Sequence, residues 1–196
     1  MKKFIYLLAL ILFVVETVQA QDKTDYLVGD THNISGFGGL MTELSAVNNQ
    51  AILSFGGGGG ALIDQRFFIG GYGMGNLVEF STFSINGHPR LLEMGHGGLW
   101  IGYHHNPQKV VHFGGSARVG FGGLAFTNLN GDPIVNDGFF VTTSQLHVEM
   151  NVLPFLKLNL SGGYRNIFGL NNDFVDNRDV SSPTLLFGMY FGWFGE

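Results

Sequence analysis

Thr143-Ser144-Gln145-Leu146-His147-Val148-Glu149-Met150-Asn151 carries a polar or ionisable group at every odd position, with Leu146, Val148 and Met150 between them. A strand turns successive side chains to opposite faces, so one side of this segment is polar and the other apolar. The segments before and after it behave alike. Lys157, Asn159, Ser161 and Arg165 oppose Leu156, Leu158, Leu160 and Tyr164, while His112, Ser116 and Arg118 oppose Val111, Phe113, Val119 and Phe121. Alternation alone leaves open which face looks inward, because a soluble sandwich buries its apolar face and a membrane barrel turns that face to lipid. Strand length and connections separate the two.

Eight such segments can be followed along the chain, each bounded by turn chemistry. Ile34–Ala46 ends at Asn48-Asn49, Gln50–Ile63 at Asp64-Gln65-Arg66, and Phe67–Phe80 in a polar stretch closing with Asn86-Gly87-His88-Pro89. Leu91–His105 ends at Asn106-Pro107-Gln108-Lys109, Val110–Phe126 in a loop through Asn130-Gly131-Asp132-Pro133, and Phe139–Val152 at Pro154. Leu156–Phe168 then meets Gly169–Pro183, and Thr184–Phe194 is the last segment. Most run roughly eleven to fifteen residues, beyond the 5–6 of ordinary globular strands and enough for the 9–11 tilted residues of a membrane strand. The connections at Asp64, Asn106 and Pro154 are tight and the alternate ones are long, apart from the short Val47–Gln50, as in an up-and-down transmembrane barrel. The expected fold is all-β, a single antiparallel up-and-down transmembrane β-barrel of about eight strands over residues 34–196.

Ahead of the strands, Lys2 and Lys3 precede an unbroken apolar run from Phe4 to Val15, and Val18-Gln19-Ala20 supplies small residues before Gln21. This is the pattern of a secretory signal peptide over residues 1–20, followed by a periplasmic segment at 21–33. The apolar run is too short for the ~20 residues of a membrane-crossing helix. Cysteine is absent, which excludes a disulfide framework and a lipidated cysteine. Losing Lys2, Lys3 and Glu16 with the leader moves the formal net charge from the −5 of the whole chain to about −6. Without a basic cluster, that balance excludes nucleic acid as a partner.

Glycine, at 31 of 196 residues, and phenylalanine, at 19, are both abundant. Gly56–Gly60 lies inside a strand and lacks the Lys-Ser/Thr of a phosphate loop, so its role is curvature and room for aromatic rings in a narrow lumen. Phe67, Phe68, Trp100, Tyr103, Phe139, Phe140, Tyr190 and Trp193 lie near strand ends, where interfacial aromatic girdles are expected.

An eight-stranded barrel is just wide enough for its own side chains. Charges inside it must be paired. The expected interior network is Glu43, His112, Arg118, His147, Glu149, Lys157 and Arg165, with a structural role. His104, His105 and His112 flank one turn, with His105 opposite Val110 and His104 opposite Val111, so two or three imidazoles there could hold Zn²⁺ or Cu²⁺, against which His104 and His105 point to opposite faces and no carboxylate is near in sequence. No metal, cofactor or catalytic residue is assigned on this reading. His88 with Ser81 or Ser84 is the least remote pair for a lipid-modifying enzyme, and no glycine-Ser-glycine elbow accompanies it.

Phe68-Ile69-Gly70-Gly71-Tyr72-Gly73, Gly97-Gly98-Leu99-Trp100-Ile101-Gly102-Tyr103, Val148-Glu149-Met150-Asn151 and Gly162-Gly163-Tyr164-Arg165, with the Val18–Gln21 cleavage region, resemble the small eight-stranded outer-membrane β-barrels of Gram-negative bacteria, especially the glycine-rich type common in Bacteroidota. Leu185–Phe194 is similar to the aromatic-ended last strand through which that family is recognised for insertion. The resemblance implies residence in the outer membrane, outer-membrane lipids as surroundings, and the barrel assembly machinery as partner during biogenesis. The expected function is a monomeric or weakly associated, non-enzymatic outer-membrane barrel. Its outward contact surface would be Ser81–Pro89, Thr127–Gly138 and Gly169–Pro183, toward an unidentified extracellular ligand. A narrow solute channel, a lipid-modifying enzyme and a soluble periplasmic binder are the alternatives. Asn171-Asn172-Asp173 and Asp176-Asn177-Arg178-Asp179 add a weak cation or sugar contact to that expectation.

Overall fold

The computed structural model describes residues 33–77, 82–85, 88–128 and 133–194. In chain order these form β1 (Ile34–Val47), β2 (Gln50–Ile63), β3 (Phe67–Asn76), β4 (Thr82–Ile85), β5 (His88–His105), β6 (Val111–Thr127), β7 (Pro133–Leu153), β8 (Leu156–Phe168), a single helical turn α1 (Asn177–Val180) and β9 (Ser182–Gly192). Leaving β4 aside, each strand pairs antiparallel with the next, and β9 returns to β1 from Phe37↔Gly192 to Leu44↔Leu185. The ring therefore has eight strands and no open edge. β4 stands outside it, paired with the first residues of β5 through Thr82↔Leu91 to Ile85↔His88.

The turns explain why the ladder folds back where it does. Asn48 and Asn49 both take positive φ, 48° and 61°, as a two-residue hairpin matched to strand twist requires, and asparagine tolerates that region best after glycine. Gly60 and Gly70 face each other across β2 and β3. A Cβ on either would run into backbone of the opposite strand, so here glycine is needed for close approach.

The barrel wears its apolar side chains outside. Leu99, Phe121 and Leu146 are 65%, 73% and 77% exposed, and Ile69, Phe113, Val148, Leu160 and Phe187 continue the belt around the ring. Inside, one apolar cluster gathers Val47, Ile52, Leu92, Leu124, Phe126 and Phe139 with Val175 and Val180 from the segment between β8 and β9. A second gathers Met41, Leu62, Phe68, Tyr72, Trp100 and Tyr190, with Phe37 and Phe194 against them.

Half of the expected aromatic girdle belongs to this interior. Phe68, Trp100, Phe139 and Tyr190 are buried, whereas Phe67 and Tyr103 are exposed with their rings 4.9 Å apart. Adjacent Phe67 and Phe68 must point to opposite faces, and glycines open space for the inward rings: a Cβ on Gly102 would strike Phe68, and one on Gly122 would strike Phe139. The three expected outward loops are also partly strand. β4 and the start of β5 lie within Ser81–Pro89, β7 begins at Pro133 rather than Phe139, and β9 begins at Ser182. The β6–β7 ladder continues through Leu124↔Asp137 and Phe126↔Val135, beyond the region where alternation marks a strand. Residues 1–32, which hold the expected signal peptide and nearly all of the 21–33 segment, lie outside the described residues.

Candidate functional site

The polar groups of the alternating strands meet inside the barrel as two clusters. In the first, Glu43 of β1 receives Arg118 of β6, and its Oε1 lies 3.5 Å from Nη1 of Arg165 on β8. β1 and β6 stand four strands apart in either direction around the ring, so the Glu43–Arg118 pair crosses the full lumen. The three side chains are at most 1% exposed. Arg118 also places its guanidinium 5.1 Å above the Tyr72 ring and Nη1 2.9 Å from Met74 Sδ. Arg165 donates from Nη2 to the Val180 carbonyl at 3.2 Å, tying the segment after β8 to the charge cluster. One buried carboxylate thus serves two guanidinium groups, an arrangement stable only while all three remain.

The second cluster lies on one wall, toward the short turns. Glu149 of β7 has Oε2 3.2 Å from His112 Nε2, 3.2 Å from His104 Nδ1 and 3.7 Å from Lys157 Nζ. Its Oε1 accepts from Asn159 Nδ2 at 3.1 Å, and Ser161 Oγ donates to Asn159 Oδ1 at 2.5 Å. His147 Nε2 lies 3.2 Å from His104 Nδ1. A Cβ on Gly114 would run into the His147 ring, so the glycine opposite it in the β6–β7 ladder is what admits the imidazole.

All seven side chains read as interior are buried, but they divide: Glu43, Arg118 and Arg165 form one group, and His112, His147, Glu149 and Lys157 belong to the other. Among the described residues no ion pair joins the two. Sequence reasoning set His104 beside His105 and His112 at a turn, whereas the turn is longer and the register is His104↔Gly114 and His105↔Phe113. His105 faces outward with its ring 4.9 Å from Phe113. His112 does stay beside His104, with ring centroids 5.8 Å apart, and the further companions come from β7, more than forty residues along the chain at His147 and Glu149. Their odd-numbered alternation was the available signal, although spacing could not say which strand would face them.

The acid- and amide-rich segment between β8 and β9 is tied up in its own turns. Asp137 Oδ2 accepts from the Asn171 backbone at 2.5 Å and from Asn172 Nδ2 at 3.0 Å, and Asn172 Oδ1 accepts from the backbone of Phe174 and Val175 at 3.0 Å. Asp176 donates its backbone N–H to Asp179 Oδ2 at 2.8 Å, and Leu170 donates to Asn177 Oδ1 at 3.0 Å. The Asn171 backbone N–H, with help from the Asn172 amide, holds the Asp137 carboxyl below its usual range. Ser81 and the side chains of Ser84 and His88, named for an enzymatic reading, lie outside the described residues.

Among solved structures, the chain is similar to Neisserial surface protein A, with a TM-score of 0.60 and 14% identity over 83% of this chain and 99% of that one. The chain has the fold of the small eight-stranded outer-membrane barrels. Ail of Yersinia pestis, solved with the heparin analogue sucrose octasulfate, is similar at a TM-score of 0.49 and 13% identity, covering 81% of this chain and 97% of that one. The N-terminal β-barrel domain of Pseudomonas aeruginosa OprF gives 0.48 and 13%, covering 80% and 96%. No protein-family model and no curated protein sequence matches the chain.

Proposed function

We propose that this chain is exported behind a signal peptide cleaved near Ala20 and resides in the outer membrane as a lipid-embedded barrel. On this reading its interior is closed by its own ion pairs and its long connections form a surface for contact. The observation that carries the reading is the direction of the two faces. Leu99, Phe121 and Leu146 point out while Glu43, Arg118, Glu149, Lys157 and Arg165 point in, the inverse of a soluble lipocalin-like barrel. No helix among the described residues is long and apolar enough to cross a membrane, so the strands would do the crossing. Outer-membrane lipids are then its surroundings and the assembly machinery its partner during insertion.

A closed interior is supported by the Glu43–Arg118 pair, which occupies the diameter of a lumen that eight strands leave just wide enough for side chains. The role is structural or one of surface contact rather than catalysis. Cell fractionation, with gel electrophoresis of boiled and unboiled samples, tests the placement: outer-membrane recovery and a faster unboiled band are expected, and release into the soluble periplasm would discard it. Planar-bilayer recording tests closure. The intact protein is expected to stay silent, and steady single-channel steps would replace the closed barrel with a narrow pore.

A further inference from the structure

The three donor atoms His104 Nδ1, His147 Nε2 and Glu149 Oε2 lie within 4.8 Å of one another, each on a buried side chain. Two of the separations, His147 Nε2 to His104 Nδ1 and His104 Nδ1 to Glu149 Oε2, are 3.2 Å. Ligands held about 2.0–2.1 Å from a tetrahedral zinc ion stand about 3.3 Å apart along the edges of the tetrahedron. Without an ion the two short contacts compete. An imidazole nitrogen offers either one proton or one lone pair. His104 Nδ1–H can serve Glu149 Oε2 and His147 Nε2 together only as a shared, weaker three-centre bond. A single cation facing all three atoms serves every lone pair at once.

The surroundings complete the geometry. His112 Nε2 reaches the same Glu149 Oε2 at 3.2 Å, with its Nδ1 3.2 Å from the Lys109 carbonyl, the kind of outer support that ligating carboxylates receive. Gly114 is the residue that lets His147 approach. A cavity of about 10 Å³ touches His104 and Glu149 and is also lined by Phe194. Phe194 in turn lines a wide mouth of about 720 Å³ at the short-turn end, beside Arg66, Gln108 and Asn151. Phe194 therefore borders both spaces, with Lys157 over its ring.

We propose that His104, His147 and Glu149 form a binding site for a divalent transition-metal ion of the zinc class, entered from the short-turn mouth past Phe194. Two imidazoles and a carboxylate with a fourth position for water is a donor set that zinc accepts, and imidazole selects it over magnesium or calcium. Lys157, 3.7 Å from Glu149 Oε2 and 4.6 Å from the centre of the Phe194 ring, is the cation that a metal would push aside. Its charge lowers the affinity of the site.

The test uses the whole protein folded in detergent micelles, stripped with chelator and dialysed against Zn²⁺, with metal counted by mass spectrometry and folding checked by the unboiled gel band. One Zn²⁺ per chain is expected, with retention lost in His147→Gln and His104→Gln and kept in His105→Gln, whose ring lies outside. Lys157→Met should tighten binding at least about tenfold, because it removes a like charge a few ångströms away. Co²⁺ in the unaltered protein should give the intense visible bands of a tetrahedral site, a readout that needs no variant to fold. Failure of the folded protein to retain Zn²⁺, an octahedral Co²⁺ spectrum, or retention unchanged in a folded His147→Gln overturns the assignment.

Discussion

Glu43 illustrates how much can depend on one side chain in a lumen this narrow. It is fully buried and is the carboxylate for both Arg118 and Arg165. Glu43→Gln would leave two guanidinium groups buried without their carboxylate, and removing one partner of a buried ionic group costs about 3–5 kcal/mol. Urea unfolding of the detergent-folded protein should show a loss of that size, with part of it recovered when Arg118→Met is added. Equal stability of the single variant and the parent would mean that the pair is solvated. Gly122 makes a contrasting case, because what matters there is the absence of a side chain. Gly122→Ala would meet the Phe139 ring, and overpacking of this kind costs about 1–3 kcal/mol, read as an earlier midpoint in the same titration. The charged residues could be placed on the inner face from alternation in the sequence. That Glu43 would reach Arg118 rather than Glu149 reaching it could not, since partners across a lumen share no spacing along the chain.

Strands and connections divide the work differently. The outward face of β5 presents Leu99 and Ile101, 65% and 49% exposed. Leu99→Arg should cost about 2–4 kcal/mol in a bilayer, the range for a cation on the lipid face near the midplane, and much less in a water-soluble fold. Unfolding from lipid vesicles measures the difference, and a neutral result would argue against lipid contact. The segment between β8 and β9 is anchored through Asp137 to Asn171 and Asn172 and through Val175 and Val180 to the inner apolar cluster. A carboxyl whose folded pKa is lowered contributes fully above its unfolded value and loses that contribution as pH falls through the lower folded one. The tie should therefore be intact at neutral pH and weaken below about pH 4. Hydrogen exchange over Leu170–Val180 should quicken in that acid window, and Asp137→Asn should quicken it at neutral pH as well. Turn chemistry announced most connections correctly, while β4 and the early start of β7 escaped notice because the residues beside them, Asn86-Gly87-His88-Pro89 and Asn136-Asp137-Gly138, are of the types that mark turns.

For the molecule as a whole, the Glu43–Arg118 contact spans the ring that the β9–β1 ladder completes, so the proposed closed lumen would depend on both. Truncating both partners, Glu43→Ala with Arg118→Ala, should open a small steady conductance in planar bilayers, where the intact chain is expected to be silent. Unchanged silence would place the barrier elsewhere in the lumen. Alternation, segment length and the rhythm of tight and long turns were already enough for an eight-stranded antiparallel barrel with its charges on one face, because each depends on residues close together in the chain. Which charges pair, which aromatic rings turn inward over glycines, and which histidines gather around Glu149 depend on residues from different strands, such as His104 on β5 and His147 on β7. Register and ring closure bring those residues together, and neither is written in local spacing.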